Sequence, residues 1–451
     1  MSIPSAPPHV PEPEAQTSPD QVPFGPDLRA AELAFVRDAL RDSYAHLEAK
    51  QQQWGVDLDQ LFSHYEPEIR AADTWSKYEQ VMVAFVSEMH DAHVAWRRKR
   101  GKSESKRHLV RIGIDSRFVG SALYVTNVWQ GSPADVAGLA VGDQIVSIDG
   151  IGVDKRVAGL ADLRSWSRLE AARYDFAQQW PASRIPADQA TKERVLGRAR
   201  PDGSVELVHV PADATKRPGG KGANVELEPR GPVFVLHVRD LDGLNKKFVA
   251  LIEPLLDQIT ASPHGLVVDL RGDDGGFENN AQSIATRVVA KPTVGGAMRV
   301  KLSERARATH AQWKNLAGDP QRPGWSVEQK LEVQGKAAKP YAGKIAAIID
   351  EGCRSSCESL ALLLHAAGAR LIGQQTGGAS GAPITFTLPH SNATVTIPAR
   401  AMFDLAGTPL EGRGVIPDEV VDYTLADITA RRDPQLAAGL AYVCEHKGAC
   451  L

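Results

Sequence analysis

The sequence predicts a multidomain α/β protein, and three observations carry that prediction. The chain has 451 residues, and at roughly 150 residues per domain it is long enough for about three cores. Its apolar pattern changes twice: helical spacing up to about residue 100, short alternating strands up to about 212, then strands alternating with amphipathic helices. The last pattern is that of βα units around a partly parallel sheet. With 43% hydrophobic and 24% charged residues, the composition excludes a wholly disordered chain, a collagen and a coiled-coil rod. Lys+Arg of 52 against Asp+Glu of 55 gives a net charge of -3, which argues against a dedicated nucleic-acid binder. No stretch approaches the roughly 18 apolar residues of a membrane span.

Residues 1–27, rich in Pro, read as a disordered, semi-stiff spacer. They lack a basic region followed by an apolar one, so they are not a signal peptide. A cytoplasmic chain is one reading. A periplasmic or secreted chain whose leader has been trimmed is the other. Residues 28–100 form a helical N-terminal domain, on the apolar spacing of LRAAELAFVRDALRDSYAHLEAKQQQ and TWSKYEQVMVAFVSEMHDAH. Lys99 to Arg107 is a basic, solvated linker without interleaved aromatics. Residues 101–215 alternate as short strands with Gly turns, interrupted from Val153 to about Lys192 by a helical and irregular insertion. A Pro- and Gly-Gly-bearing loop at 212–225 leads into the α/β core, residues 216–451.

Within the strand-rich part, Gly131-Ser132-Pro133-Ala134, Ala137-Gly138-Leu139, Gly142-Asp143-Gln144-Ile145 and Asp149-Gly150 follow in order. Pro133 suits a helix start, Gly138 a helix stop and Gly142-Asp143 a turn into a strand. The run resembles a PDZ domain. The resemblance implies that Ile112-Gly113-Ile114 captures the C-terminal carboxylate of an extended peptide, which then adds a strand to the sheet edge. The plainer alternative makes Gly113 a turn or bulge residue.

Four further segments bear on chemistry. Asp269-Leu270-Arg271-Gly272-Asp273-Asp274-Gly275-Gly276 follows a buried-type strand. Its double Gly is either a plain turn or a source of backbone N–H groups for an oxyanion. Ser355-Ser356-Cys357-Glu358 stands between a strand and a helix. It reads as a capping box or as a nucleophile at a helix N-terminus. Met89-His90-Asp91-Ala92-His93 ends the helical region. Its H-x-x-H lacks a further ligand cluster for zinc, so a helix-terminal histidine is the usual explanation. Leu410-Glu411-Gly412-Arg413-Gly414-Val415-Ile416-Pro417-Asp418 is a turn-rich stretch near the end.

In this order the segments resemble the C-terminal-processing, or tail-specific, serine peptidase family that includes the tricorn core. The resemblance runs from about residue 28 to the end. It also rests on Gly373 to Gly378 (G-x-x-T-x-G) and on Asp433-Pro434-Gln435-Leu436. It implies a ClpP/crotonase-like core, a polypeptide substrate and no cofactor or metal. The nucleophile falls on Ser355, with oxyanion donors from Ser356 and from Gly275 or Gly276. Many members use a Ser–Lys dyad, but Ala379 stands where that Lys would be. Tricorn-like members use a His and a Glu, which fall on His93 and Glu411. Their additional Ser before the His is Ala92 here. These two departures motivate an alternative, a catalytically inactive peptide-binding protein on the same scaffold. A third reading is another acyl-handling enzyme, such as an esterase. Cys353 and Cys357 flank the nucleophile and Cys444 and Cys450 lie close together. Each pair is open to a disulfide or to packed thiols, and their spacing is wrong for zinc.

Overall fold

The computed structural model describes residues 20–98, 107–160, 165–186, 191–215, 223–261, 264–289, 291–335 and 341–444. The linker from Lys99 to residue 106 and the residue Cys450 lie outside them. The N-terminal region forms four helices, Pro26–Ser43, Leu47–Trp54, Leu58–Ala71 and Trp75–Ser87. Asp57 and Thr74 cap the third and fourth with their side chains, satisfying otherwise orphaned N–H groups. These helices share a core with the far end of the chain. Leu33, Leu40, Phe85 and Met89 pack in one cluster with Leu388, Val395 and Ile397. The strand Ala95–Arg97 pairs antiparallel with Thr394–Pro398. Buried Glu32 accepts the N–H groups of His390 and Ser391 at 2.6 and 2.7 Å.

The PDZ-like sheet runs in the order Ile114–Val119, Ala122–Val128, Gln144–Ile148, Lys192–Ala199, Val205–Ala212. Its first strand is therefore an edge. The helix Pro133–Val136 has Ser132 as a side-chain N-cap and Pro at its start, and Gly138 follows with φ +76°. Gly142, at φ +94°, turns into the next strand, so the local readings of Pro133, Gly138 and Gly142 hold. The stretch read as an insertion is ordered architecture where it is described. The helix Leu169–Gln179 packs across strand Ile114–Val119, and Ala182–Pro186 pairs with Arg107–Arg111.

The core sheet has the order Val225–Arg230, Val233–Val238, Leu266–Asp269, Ile345–Ile349, Arg370–Gly373, Glu419–Val420. The first pair is antiparallel and the rest are parallel. The helices Asn245–Ala261, Glu278–Val288 and Ser356–Ala366 cover one face and Pro434–Val443 the other. Strands Leu266–Asp269 and Ile345–Ile349 are thus buried at every position, which is why they read as unbroken apolar runs. Arg271 stitches the strand end to the last helix: it pairs with Asp269 at 2.7 Å and with Asp433 at 2.9 Å. Among the described residues no helix is long and apolar enough to cross a membrane.

Candidate active site

Ser355 stands at the carboxyl end of the parallel sheet, where a crevice at the strand ends is the usual place for a site. It precedes the helix Ser356–Ala366 with φ 55° and ψ -122°, and its side chain makes no cap hydrogen bond. A non-glycine residue in that region costs about 1–3 kcal/mol and persists only where its surroundings over-determine it. Here they do. The N–H of Ser355 donates to Ala379 at 2.9 Å, that of Gly377 to Cys353 at 2.9 Å, and that of Arg354 to Asp273 at 3.1 Å. The capping-box alternative fails as a result. The Ser355 N–H goes to the Ala379 carbonyl, and Glu358 takes the Thr376 hydroxyl at 2.5 Å and the Gly378 N–H at 2.9 Å. Burial pushes the Glu358 carboxyl up to about 7, opposed by hydrogen bonds from Thr376, Gly378 and the Ser355 backbone. Cys353 and Cys357, both buried, form a disulfide that brackets the turn. Cys444 is not a free thiol.

The double-Gly turn lies directly against the serine. A Cβ added at Gly275 would meet the Arg354 carbonyl at 2.7 Å, Ser355 Cβ at 2.8 Å and Ser356 N at 3.1 Å. This contact requires glycine, and the φ of +99° requires it again. The N–H of Gly275 is already spent on Asp273 Oδ1 at 2.9 Å. Of the two glycines expected as oxyanion donors, Gly275 therefore has its N–H engaged. The N–H groups of Gly276 and of Ser356 have no acceptor among the described residues.

His93 follows the helical region in a tight turn. Its N–H donates to Asp91 Oδ1 at 2.8 Å and its carbonyl accepts the Thr396 hydroxyl at 2.9 Å. Asp91, fully buried, is held by the Tyr44 hydroxyl at 2.8 Å and, through its own N–H, by Ser165 at 2.7 Å. The ring Nδ1 of His93 is buried without a partner. Desolvation lowers its pKa to about 4, opposed by the negative charge of Glu411 and assisted by His46, Arg354 and Arg400. His90 leaves the site by a positive φ of 46° and stacks on Trp54. It takes no part in an H-x-x-H pair.

Glu411 is buried and doubly bonded. Oε1 accepts Lys50 Nζ at 2.9 Å and Oε2 accepts the Ser380 N–H at 3.1 Å. The structure brings His93 into the field of Glu411 and Arg354, the residue before Ser355. No direct hydrogen bond joins Ser355, His93 and Glu411. His46, Asp91 and Glu411 each bring a donor atom within 4.8 Å of the others. That spacing suits a metal cage, but the Lys50 ammonium already holds the Glu411 carboxylate.

Three contributors were not anticipated. Lys50 and His46 come from the N-terminal helices. His46 Nε2 lies 3.2 Å from the Ser380 carbonyl. Arg354 is bidentate to Asp175 on the PDZ-side helix, at 3.0 and 2.8 Å, with both residues buried. Nothing in local sequence spacing marks any of them, because each acts across more than 100 residues. Ile112-Gly113-Ile114 lies at the other end of the PDZ edge strand. There the Ile112 N–H donates to Pro181 at 3.0 Å, and the Gly113 carbonyl accepts Trp129 N–H and the Ser132 hydroxyl at 2.9 and 3.1 Å. Gly113 has φ +90°.

Known families and structures share this architecture. The profile of Peptidase family S41 matches residues 233–421, and that of a PDZ domain matches residues 124–165. A search of the curated proteins by sequence finds no match. The crystal structure of mature CPAF is similar at a TM-score of 0.72 and 15% identity, covering 94% of this chain and 99% of that one. The photosystem II D1 C-terminal processing protease is similar at a TM-score of 0.52 and 15% identity, over 93% and 98% of the two chains. At such identities the likeness is one of fold. Together these matches identify the core that holds the strained serine and the glycine turn as one of the Peptidase family S41 type, joined to a PDZ domain.

Proposed function

We propose that the protein is a serine endopeptidase in which Ser355 is the nucleophile, His93 the general base and acid, and Glu411 the charge that supports the imidazolium. The supporting observation is Ser355 itself. It is held at positive φ at a helix N-terminus, with the uncommitted N–H groups of Ser356 and Gly276 beside it. In the first step Ser355 Oγ bonds to the peptide carbonyl carbon as its proton passes to neutral His93. The resulting oxyanion rests on the Ser356 and Gly276 N–H groups. The imidazolium then gives its proton to the leaving nitrogen, the C–N bond breaks, and an acyl-enzyme remains. Water attacks the ester as His93 takes its proton, and that proton returns to Ser355 Oγ as the C–O bond breaks. Catalytic hydrogen bonds are often open before substrate binds. Closure of the Ser355–His93 bond on the substrate chain belongs to this reading.

We also propose that the PDZ domain engages substrate tails along its edge strand Ile114–Val119. In support, a cavity of about 450 Å³ runs between that strand and the core, lined among others by Arg117, Phe118, Arg173, Tyr174, Glu351 and Gln374. The buried disulfide beside the nucleophile supports an oxidising compartment, periplasmic or secreted, over the cytoplasm.

The test is incubation of unfolded casein with wild type, Ser355→Ala and His93→Ala, read by mass spectrometry. Fragments from wild type alone are expected. Equal cleavage by Ser355→Ala overturns the assignment. Tail binding without turnover favours the inactive, peptide-binding alternative, which Ala92 and Ala379 motivate.

A further inference from the structure

The helix Leu47–Trp54 docks in an unusual way. An exposed helix normally docks through an apolar stripe, yet the one buried residue of this helix is Lys50. Lysine is almost never fully buried unless it is paired. Lys50 is 0% exposed, and its ammonium spans two elements: Glu411 Oε1 at 2.9 Å and the His90 carbonyl at 2.7 Å. The helix also lies against the turn after Glu411. A Cβ added at Gly412 would meet Gln53 Oε1 at 3.5 Å and Lys50 Nζ at 3.8 Å. His46, just before the helix, holds the carbonyl of Ser380, whose N–H takes the second oxygen of Glu411. Both Glu411 oxygens are therefore positioned, directly or through Ser380, by two residues one helical turn apart.

A buried ion pair gives no stability that well-packed apolar residues would not also give. Its special effect is to fix a charge at a point. We propose that Lys50 is a positioning residue of the peptidase: its ammonium holds the Glu411 carboxylate at a set distance behind His93, so that the N-terminal helical region completes the catalytic apparatus. This role rests on the assignment of Ser355 and His93 above. The groups that face His93 and Glu411 are Lys50, His46, Glu358, Arg354 and Arg400, together with Asp91, which bonds the Tyr44 hydroxyl and the His93 N–H. Lys50 is the cation bonded to Glu411. Without it the carboxylate faces the imidazole uncompensated, and the His93 ring holds its proton to higher pH.

The experiment measures the rate at which a fluorophosphonate probe labels Ser355 in the full chain between pH 4 and 9, in wild type, Lys50→Met, Glu411→Gln and the double variant. A cycle of this kind isolates action through a partner. Lys50→Met is expected to slow labelling at least roughly tenfold and to move the acid limb upward. In the Glu411→Gln background the same change is expected to have no further effect. Equal slowing in both backgrounds, or none in wild type, overturns the role. If Lys50→Met does not fold, the comparison of Glu411→Gln, whose amide oxygen still accepts from Lys50, with the double variant, where neither charge is buried, still decides once circular dichroism shows both folded. A tenfold gap between those two overturns the role, and equal rates uphold it. Failure of wild type to label while folded overturns the peptidase reading, and this role with it.

Discussion

His93 is the residue whose chemistry depends most on its surroundings. Its desolvated ring has a pKa lowered to about 4, so it is neutral and able to accept a proton through most of the pH range. If it is the general base, kcat/KM on a peptide substrate should show an acid limb near pH 4. A limb at 6.5 or higher would reject the assignment. The same shift has a stability consequence. The unfolded chain binds the His93 proton near pH 6.5, whereas the folded chain resists it until about 4. The contribution of His93 is therefore fully present above 6.5 and is lost as pH falls from there towards 4. Glu358 acts in the opposite direction across the middle of the range. Its folded value of about 7 exceeds the unfolded one, so the cost of burying it grows as pH rises from about 4.5 to 7. Urea midpoints of wild type and His93→Asn, compared at pH 7 and pH 4.5, should differ in their pH dependence. Parallel curves would show that the ring is not desolvated.

At the scale of elements, the turn that presents Ser355 is held from three sides: the glycine turn at 272–276, the turn at 376–379, and the helix Leu169–Gln179. The third side belongs to the PDZ half of the molecule. Arg168 bonds the carbonyls of Gln375 and Thr376, Tyr174 packs on Gly272 and Gly352, and Asp175 neutralises Arg354. Asp175→Ala leaves the Arg354 guanidinium buried and unpaired, which is expected to cost about 3–5 kcal/mol. Because Arg354 is the neighbour of Ser355, probe labelling should fall along with the denaturation midpoint. A normal labelling rate at reduced stability would separate the ion pair from the alignment of the serine. Cys353→Ala/Cys357→Ala opens the disulfide across this turn. It closes a loop of only a few residues, so chain entropy predicts a loss of about 2 kcal/mol, readable as a shift in the same midpoint.

At the scale of the whole molecule, the proposed catalytic and positioning residues come from regions that are remote in sequence. Lys50 belongs to the N-terminal helices, His93 to the turn that follows them, and Ser355 and Glu411 to the core. The helices are fastened to the core by the shared cluster around Leu388, Val395 and Ile397 and by the strand pair Ala95–Arg97 with Thr394–Pro398. A chain beginning at residue 223 would expose that apolar surface and lack the base. It is expected to aggregate and to be inactive, and co-expression with residues 20–98 is the check. Recovery of a monodisperse, active fragment without the helices would contradict this account of the site.

The α/β core, the PDZ-like sheet and the position of Ser355 were legible along the chain because each depends on local patterns. Apolar runs mark doubly covered strands, Pro133 and Gly138 bound a short helix, and the order of the Gly, Ser and Glu motifs is read directly. Local pattern could not choose between a capping box and a nucleophile at Ser355. Both share one sequence, and only the backbone at φ 55°, with no cap bond from Ser355 and with Glu358 bonded to Thr376 and Gly378, removes the capping box. Nor could it show which of Gly275 and Gly276 keeps its N–H uncommitted, since that depends on which one Asp273 takes. Lys50, His46 and Asp175 were invisible for a stronger reason. Each lies in a polar, helix-forming stretch whose pattern reads as solvent-facing, and its burial follows from a partner more than 100 residues away. Periodicity records which face of an element is apolar. The pairing of buried charges is set by how the elements come together.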